Sequence, residues 1–186
     1  MVPVRSFNLR DRSLPPPNPA LRKVSFKSDT RLETFAHRIV PPNPGGPTDP
    51  RLGGAQLTLY NSSTISGHPT DPVTVMLAAA NWIGIGSGSI TGYRYTGPDP
   101  LNGPIKQVVV KGDVLSIRGG KTNWGYTLDE PQQGGVGVRL TLADGSGWCA
   151  DVPPKVTATL TKSTDKQDKF VGQPRSPAAA SCPALP

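Results

Sequence analysis

Hydrophobic and polar residues alternate along several short stretches of the chain. In "LRKVSFKSDT", Val24 and Phe26 alternate with polar neighbours, and in "AQLTLYNSS", Leu57 and Leu59 do the same. A period of two places every second side chain on one face of a β-strand. Strand-like runs of similar length recur in "DPVTVMLAA", "NWIGIGSGS", "GYRYTG" and "NWGYTLDEP". These stretches therefore predict strands that each bury one face.

Two longer segments predict pairs of strands. The stretch "GPIKQVVVKGDVLSIRGG" is typical of a hairpin with a turn at "KGD", and its predicted inward residues are Val108, Val110, Leu115 and Ile117. The stretch "GGVGVRLTLADGSGWCA" alternates Val136, Val138, Leu140 and Leu142. Roughly eight to ten short strands at regular spacing are typical of a sandwich or small barrel. We expect an all-β protein, an antiparallel β-sandwich of the jelly-roll kind.

The distribution of proline divides this expected single domain, residues 1–186, into three parts. The chain holds 22 Pro and 21 Gly, and much of the proline lies towards its two ends. We expect an extended Pro-rich arm over residues 1–22, the sandwich core over 23–150 and a tail over 151–186. Within the tail, "STDKQDKFVG" predicts a short helix that Ser163 or Thr164 caps and Phe170 anchors.

The net charge of +7 comes mostly from the N-terminal third, where residues 1–60 hold nine Lys and Arg against four Asp and Glu. A basic arm can serve nucleic acid, an anionic membrane surface or an acidic polysaccharide. These basic residues are scattered and are not interleaved with stacking aromatics, which favours a solvated surface and argues against nucleic acid. No segment approaches the roughly 20 apolar residues that span a bilayer, so no membrane span is expected. The start "MVPVRSFNLRDR" lacks the pattern of a secretory signal, which fits either a mature exported form or a cytoplasmic protein.

Few residues suggest catalysis or metal binding. His37 and His68 have no second ligand at a recognised spacing, so no metal or cofactor is expected. The run "GIGSGS" precedes a strand-like stretch instead of a helix, which favours a tight turn over a phosphate loop. Asp129 and Glu130 are adjacent, and neighbouring residues on a strand point to opposite faces, unlike a glycosidase pair. We predict no catalytic residue.

The aromatic residues concentrate in the predicted core region. They are Trp82, Tyr93, Tyr95, Trp124, Tyr126 and Trp148. Tyr93 with Tyr95, and Trp124 with Tyr126, share a face because they are two residues apart. Core filling is the favoured interpretation. The alternative is an exposed platform for sugar rings or an apolar partner, whose candidate ligand-binding residues are Trp82, Tyr93, Tyr95, Trp124 and Tyr126.

The order of these stretches resembles an uncharacterised β-rich module of secreted bacterial proteins, where it is often C-terminal. The resemblance rests on "RKVSFKSDT", "DPRLGGAQLTLYN", "GYRY", "GPIKQVVVKGDVLSI", "WGYTLDEPQQGGVGVRLTL", "GWCAD" and "SCPALP", and it covers nearly the whole chain. It implies an extracellular or cell-surface accessory domain with no known activity, in which Cys149 and Cys182 form a disulfide. Such a bond would tie the tail to the core.

Three functional hypotheses follow from the sequence. The first is a non-catalytic secreted structural or binding module that contacts a cell-surface polysaccharide or a partner protein. The second is a self-assembling subunit of an extracellular fibre or surface layer, whose arm, including "VPVRSFNL", docks on the sheet edge of a neighbouring copy. The third is an enzyme with an unfamiliar site.

Overall fold

The computed structural model describes residues 4–11, 21–28, 43–62, 72–99, 104–111, 114–119, 126, 128, 133–156, 165–166 and 169–172. The strands in these ranges are β1 (Val4–Asp11), β2 (Leu21–Ser28), β3 (Ala55–Asn61), β4 (Val73–Leu77), β5 (Trp82–Ile85), β6 (Gly92–Thr96), β7 (Ile105–Lys111), β8 (Val114–Gly119), β9 (Val136–Leu142), β10 (Gly147–Val152), β11 (Asp165–Lys166) and β12 (Lys169–Val171). One short helix, α1 (Pro50–Gly53), precedes β3, and a 3-10 turn at Ala79–Asn81 precedes β5. No helix in these ranges is long and apolar enough to cross a bilayer.

The strands form two sheets. The large sheet has eight strands in the order β11-β12-β1-β2-β8-β7-β6-β5, and the small sheet has four in the order β10-β9-β3-β4. Every strand pair is antiparallel. The prediction of an all-β, antiparallel protein is confirmed.

Inward residues of both sheets build one hydrophobic core. The predicted hairpin forms β7 and β8, and all four of its predicted inward residues are buried. The alternating residues of β9 are buried as well. In the core these side chains meet Leu57 and Leu59 of β3 from the small sheet. Burial of alternate apolar side chains is the favourable term that holds such strands in register.

The N-terminal segment differs from the predicted arm. Residues Val4–Asp11 form β1, which pairs with β2 on one side and with β12 on the other. Phe7 and Leu9 are two residues apart and fully buried in the core. The extended arm predicted over residues 1–22 is therefore wrong for residues 4–11, because two alternating apolar side chains and pairing on both edges hold this segment in the sheet.

The C-terminal segment differs from the predicted helix. Asp165–Lys166 and Lys169–Val171 form the short hairpin β11–β12. Phe170 pairs with Leu9 in the ladder, and its ring packs edge-on against Phe7 with 5.9 Å between ring centroids. The carboxylate of Asp165 accepts hydrogen bonds from the backbone amides of Gln133 and Gly134, each at 2.8 Å. These long-range contacts favour a strand over a local helix.

Most of the predicted strand "NWGYTLDEP" lies outside the residues that the structure describes. Of "NWGYTLDEP", only Tyr126 and Leu128 are described, and both are buried without belonging to a strand. Tyr126 donates a hydrogen bond from Oη to Oε1 of Gln133 at 2.8 Å. Asp129, Glu130, His37 and His68 lie outside the described residues.

Candidate functional site: the outer face of the small sheet

The small sheet has an inner face towards the core and an outer face away from it. Residues directly opposite each other in an antiparallel pair have their side chains on the same face. The register of β10, β9, β3 and β4 therefore assigns eleven residues to the outer face, namely Gln56, Thr58, Tyr60, Thr74, Met76, Gly137, Arg139, Thr141, Gly147, Cys149 and Asp151. The two ends of this outer face differ in exposure.

A shallow groove lies at the end of the outer face next to α1. Its volume is about 240 Å³, and its lining includes Gly53, Gln56, Met76, Thr141, Ala143 and Gly145. Pockets for cofactors and small organic ligands usually enclose about 300 to 1,000 Å³. The groove is smaller and open, which suits one or two protruding side chains or sugar substituents of a larger partner. Met76 beside it is 65% exposed.

The helix α1 forms one wall of the groove and is fixed by Asp49. The Asp49 carboxylate caps the helix, because it accepts hydrogen bonds from the amides of Arg51 at 2.9 Å and Gly45 at 2.8 Å. Nη2 of Arg51 donates to the same carboxylate at 2.6 Å. The hydrogen bond from the Arg51 side chain is the main cause that lowers the pKa of Asp49 to about 2. At neutral pH the pair is therefore fully charged.

Arg51 also connects α1 to the large sheet. Its guanidinium carbon lies 5.5 Å from the centre of the Tyr93 ring, the geometry of a cation–π contact. Burial, followed by the charge of Asp49, raises the pKa of Tyr93. On the other side of α1, a Cβ built on Gly53 would lie 2.3 Å from Cβ of Ala143, so the helix directly contacts the β9–β10 turn. The groove wall is thus held from both sides.

The opposite end of the outer face is shielded from solvent. Tyr60 and Cys149 point outward, yet each is only 1% exposed. The Tyr60 ring lies over Gly137, and Ser62 donates a hydrogen bond to the Asp151 carboxylate. Burial raises the pKa of Tyr60. Gln56 and Met76 at the groove end are therefore open to solvent and Asp151 is half-buried, whereas Tyr60 and Cys149 are shielded.

Of the five aromatic residues predicted as a possible platform, four lie in the core and one lies outside the described residues. Trp82, Tyr93, Tyr95 and Tyr126 are buried and belong to the core cluster, so these four do not form an exposed platform. The Trp82 and Tyr95 rings are 5.4 Å apart between centroids, and Nε1 of Trp82 donates to the Leu77 carbonyl at 3.3 Å. Trp124 and Cys182 lie outside the part of the chain that the structure describes.

The glycine-rich run forms a turn, as predicted. Residues 86–89 connect β5 to β6, and the amide of Thr91 donates to the Ile85 carbonyl at 2.7 Å. Gly86 and Gly88 both have positive φ, at 141° and 88°. Because the run leads from strand to strand, its amides do not stand at the start of a helix.

Comparisons with known proteins return no relative for this chain. No family model, no curated protein and no solved structure matches it.

Neither the groove nor the residues that support it were predicted from the sequence. "DPRLGG" does carry a signal for α1, because Asp is a preferred capping residue and Pro is favoured at the first helical position. Met76 gave a weaker signal. In the alternating run "VTVML", Met76 shares a face with Thr74 and not with the valines. A large apolar residue is therefore expected on the outward side of the strand.

Proposed function

We propose that this chain is a non-catalytic, extracellular structural or binding module whose interaction surface is the groove end of the small sheet's outer face. The main support for this surface is the groove itself. Met76 is exposed beside it, and Asp49 and Arg51 hold α1 in place as its wall. Leu52 on α1 is 66% exposed and adds apolar surface next to the groove. Its open shape suits a cell-surface polysaccharide or a partner protein better than a small cofactor.

We further propose that the two sheets form a jelly-roll-like sandwich and that a Cys149–Cys182 disulfide ties the tail to it. The shared core of the two sheets supports the sandwich. The burial of Cys149 on the outer face supports a bonded cysteine at this position. The loop between the cysteines spans a sequence separation of 33 residues (182 − 149). Closing a loop of that length stabilises the folded state by on the order of 4 kcal/mol.

An extracellular location fits the proposed disulfide, since such bonds persist in oxidising compartments. The resemblance to secreted bacterial modules points the same way. Alkylation of the unreduced, denatured protein followed by intact-mass measurement tests the bond. We expect no alkyl group before reduction and two after it. Two thiols alkylated without reductant contradict the proposal.

Co-sedimentation with insoluble polysaccharides tests the surface. Wild type, Met76→Lys and Ser87→Lys are compared on cellulose, chitin and peptidoglycan. Both variants add one positive charge at an exposed position, but Ser87 lies in the β5–β6 turn, away from the groove. We expect Met76→Lys to lose retention, because the charge replaces an apolar contact, and Ser87→Lys to behave as wild type.

Two outcomes of this experiment count against the surface. Equal loss in both variants indicates a general charge effect, and no retention of the wild type on any polymer dismisses the polysaccharide partner. Trp124→Ala is a third variant in the same experiment. Of the five residues of the predicted aromatic platform, Trp124 is the one that is not among the four found in the core. If only Trp124→Ala loses retention, the polysaccharide binds at Trp124 and not at the groove.

The alternative function is a self-assembling subunit of an extracellular fibre or layer. The hypothesis drawn from the sequence required a free N-terminal arm that docks on a neighbouring copy. In the structure, β1 is instead an internal strand of its own sheet, between β12 and β2. Self-assembly through this segment would therefore require β1 to leave its own sheet. A different surface is needed if copies of the chain associate.

A further inference from the structure

The strand β4 is the least protected sheet edge among the described strands. The four edges are β11, β5, β10 and β4. Natural proteins protect edges with charges, proline, very short strands or bulges. β11 has two residues, both charged, β5 has only four residues, and β10 contains Asp151. β4 reads "VTVML", five residues without a charge, a proline or a bulge.

The core is incompletely covered along this edge. Val73 and Val75 face inward and pack against the core cluster, but both are only half-buried. Their outward neighbours Thr74 and Met76 are exposed. A further strand beside β4 would cover the open flank of both valines and gain the free energy of burying their apolar surface.

The outward positions of β4 and of its neighbour β3 carry no charge, although the chain carries +7. They are Thr74 and Met76 on β4 and Gln56, Thr58 and Tyr60 on β3, and the first outward charge across the sheet is Arg139 on β9, opposite Thr58. A second positively charged chain can approach such a surface without close like-charge contacts. Among the described residues, the outward positions of β4 and β3 offer no cation to an acidic partner.

We propose that the occupant of this edge is a second copy of the same chain, which pairs β4 with β4 in antiparallel orientation about a twofold axis. This inference rests on the proposed function and names a partner for the same surface. The register follows from the side-chain faces. Inward residues must lie opposite inward residues, so the twofold axis must lie midway between the two copies of one residue. Only an axis at Val75, the central residue of β4, pairs all five positions of the strand.

The resulting contacts are self-complementary. Val75 lies opposite Val75 of the second copy, Val73 opposite Leu77, and Thr74 opposite Met76. The small sheets of the two copies become one continuous antiparallel sheet. The half-buried valines then meet apolar partners on the inner side, and a neutral threonine–methionine pair forms on the outer side.

Cysteine cross-linking tests the register with a matched pair of variants. In Val75→Cys the two new thiols lie directly opposite, where Cα atoms of an antiparallel pair are about 4.5 to 5.5 Å apart and a disulfide fits. In Val73→Cys each new thiol lies four residues along the ladder from its copy, roughly 13 Å away. Both positions are half-buried valines on the same strand.

Mild oxidation followed by a non-reducing gel gives the result. We expect Val75→Cys to form a covalent dimer and Val73→Cys and the wild type to stay monomeric. Equal cross-linking of both variants, or none in Val75→Cys, overturns the proposed pairing.

Sedimentation velocity and hydrogen exchange test the association without new cysteines. We expect the wild-type chain to dimerise with concentration and the amides of residues 73–77 to exchange at least tenfold more slowly in the dimer. Met76→Lys should weaken dimerisation at least tenfold and Ser87→Lys should not.

A wild-type chain that stays monomeric overturns the inference. If Met76→Lys still loses polysaccharide retention in that case, the proposed function stands. If dimerisation occurs without retention on any polymer, the polysaccharide partner fails and the inference stands.

Discussion

Gly137 controls how the outer face of the small sheet packs. It lies opposite Tyr60 in the β3–β9 pair, and a Cβ built on it would lie 2.2 Å from Cζ of Tyr60. The ring can therefore cover β9 only because position 137 has no side chain. The alternation in "GGVGVRLTL" predicts that Gly137 faces outward, but the identity of the ring above it depends on strand order, which the sequence pattern does not contain.

Replacing Gly137 with alanine should destabilise the fold. The new methyl group overlaps three ring carbons of a fully buried tyrosine, so the ring or the strand must shift. Overpacking of this kind usually costs about 1 to 3 kcal/mol. Urea unfolding measures the loss.

Gly84→Ala is the matched control for this substitution. A Cβ at Gly84 meets the flexible end of Ile90, with Cδ1 at 3.0 Å, and the position is exposed on β5. We expect a much smaller loss there. An equal loss in both variants shows that glycine-to-alanine replacement in strands, and not the contact with Tyr60, is the cause.

At the scale of elements, α1 depends on one ion pair. Asp49 caps the helix and its side chain is fully buried, whereas that of Arg51 is 36% exposed. The pKa of Asp49 is lowered from 3.8 to about 2, with the hydrogen bond from Arg51 as the leading cause. A carboxyl whose pKa is lowered by folding contributes stability above its unfolded pKa and loses that contribution as the pH falls through its folded pKa.

Acid titration of stability tests this pair. We expect a loss of about 1 to 2 kcal/mol between pH 4 and 2, after allowance for solvent screening at Arg51. Urea unfolding across this range measures it. Asp49→Asn should flatten the pH dependence, and Arg51→Gln should do so too because it removes the same pair. A slope that persists in both variants assigns the acid sensitivity to other carboxyls.

Predictability from sequence differed between elements for physical reasons. β9 carries four alternating buried apolar residues, and β7 and β8 carry five between them on either side of the turn signal "KGD", which is enough to reveal the buried face. β1 has only Phe7 and Leu9 in its buried phase, between arginines and next to a proline-rich segment. β12 has a single buried anchor, Phe170, so its local composition suited a helix equally well. Both strands form because they pair with each other.

The candidate site was less predictable than the sheets. Its groove combines α1, three strands of the small sheet (β3, β4 and β9) and the β9–β10 turn, which are distant in sequence. Three of the aromatic residues that the sequence singled out, Trp82, Tyr93 and Tyr95, are buried because they occupy the inward phase of β5 and β6. Met76 belongs to the opposite phase of β4, and its importance depends on β4 lying at a sheet edge.

At the scale of the whole molecule, β1 is an internal strand of the large sheet and not an appendage. Phe7→Ala removes a fully buried ring that packs against Phe170, so we expect a loss of about 3 to 5 kcal/mol. Asn8→Ala, at the next and less buried position, is the control. Thermal or urea unfolding measures both. Unchanged stability in Phe7→Ala would mean that residues 4–11 do not belong to the folded core.

The pairing of β1 with β12 also determines when the protein can fold. Asn8 lies opposite Val171, a sequence separation of 163 residues (171 − 8). During synthesis β1 leaves the ribosome before most of the domain, yet it lacks one of its two neighbours until residues 169–171 have emerged. Such non-local pairing raises the contact order, which slows folding to the range of milliseconds to seconds in β-rich domains. The large sheet should therefore stay incomplete on the ribosome until β12 has left it, and β1 gains its second neighbour only then.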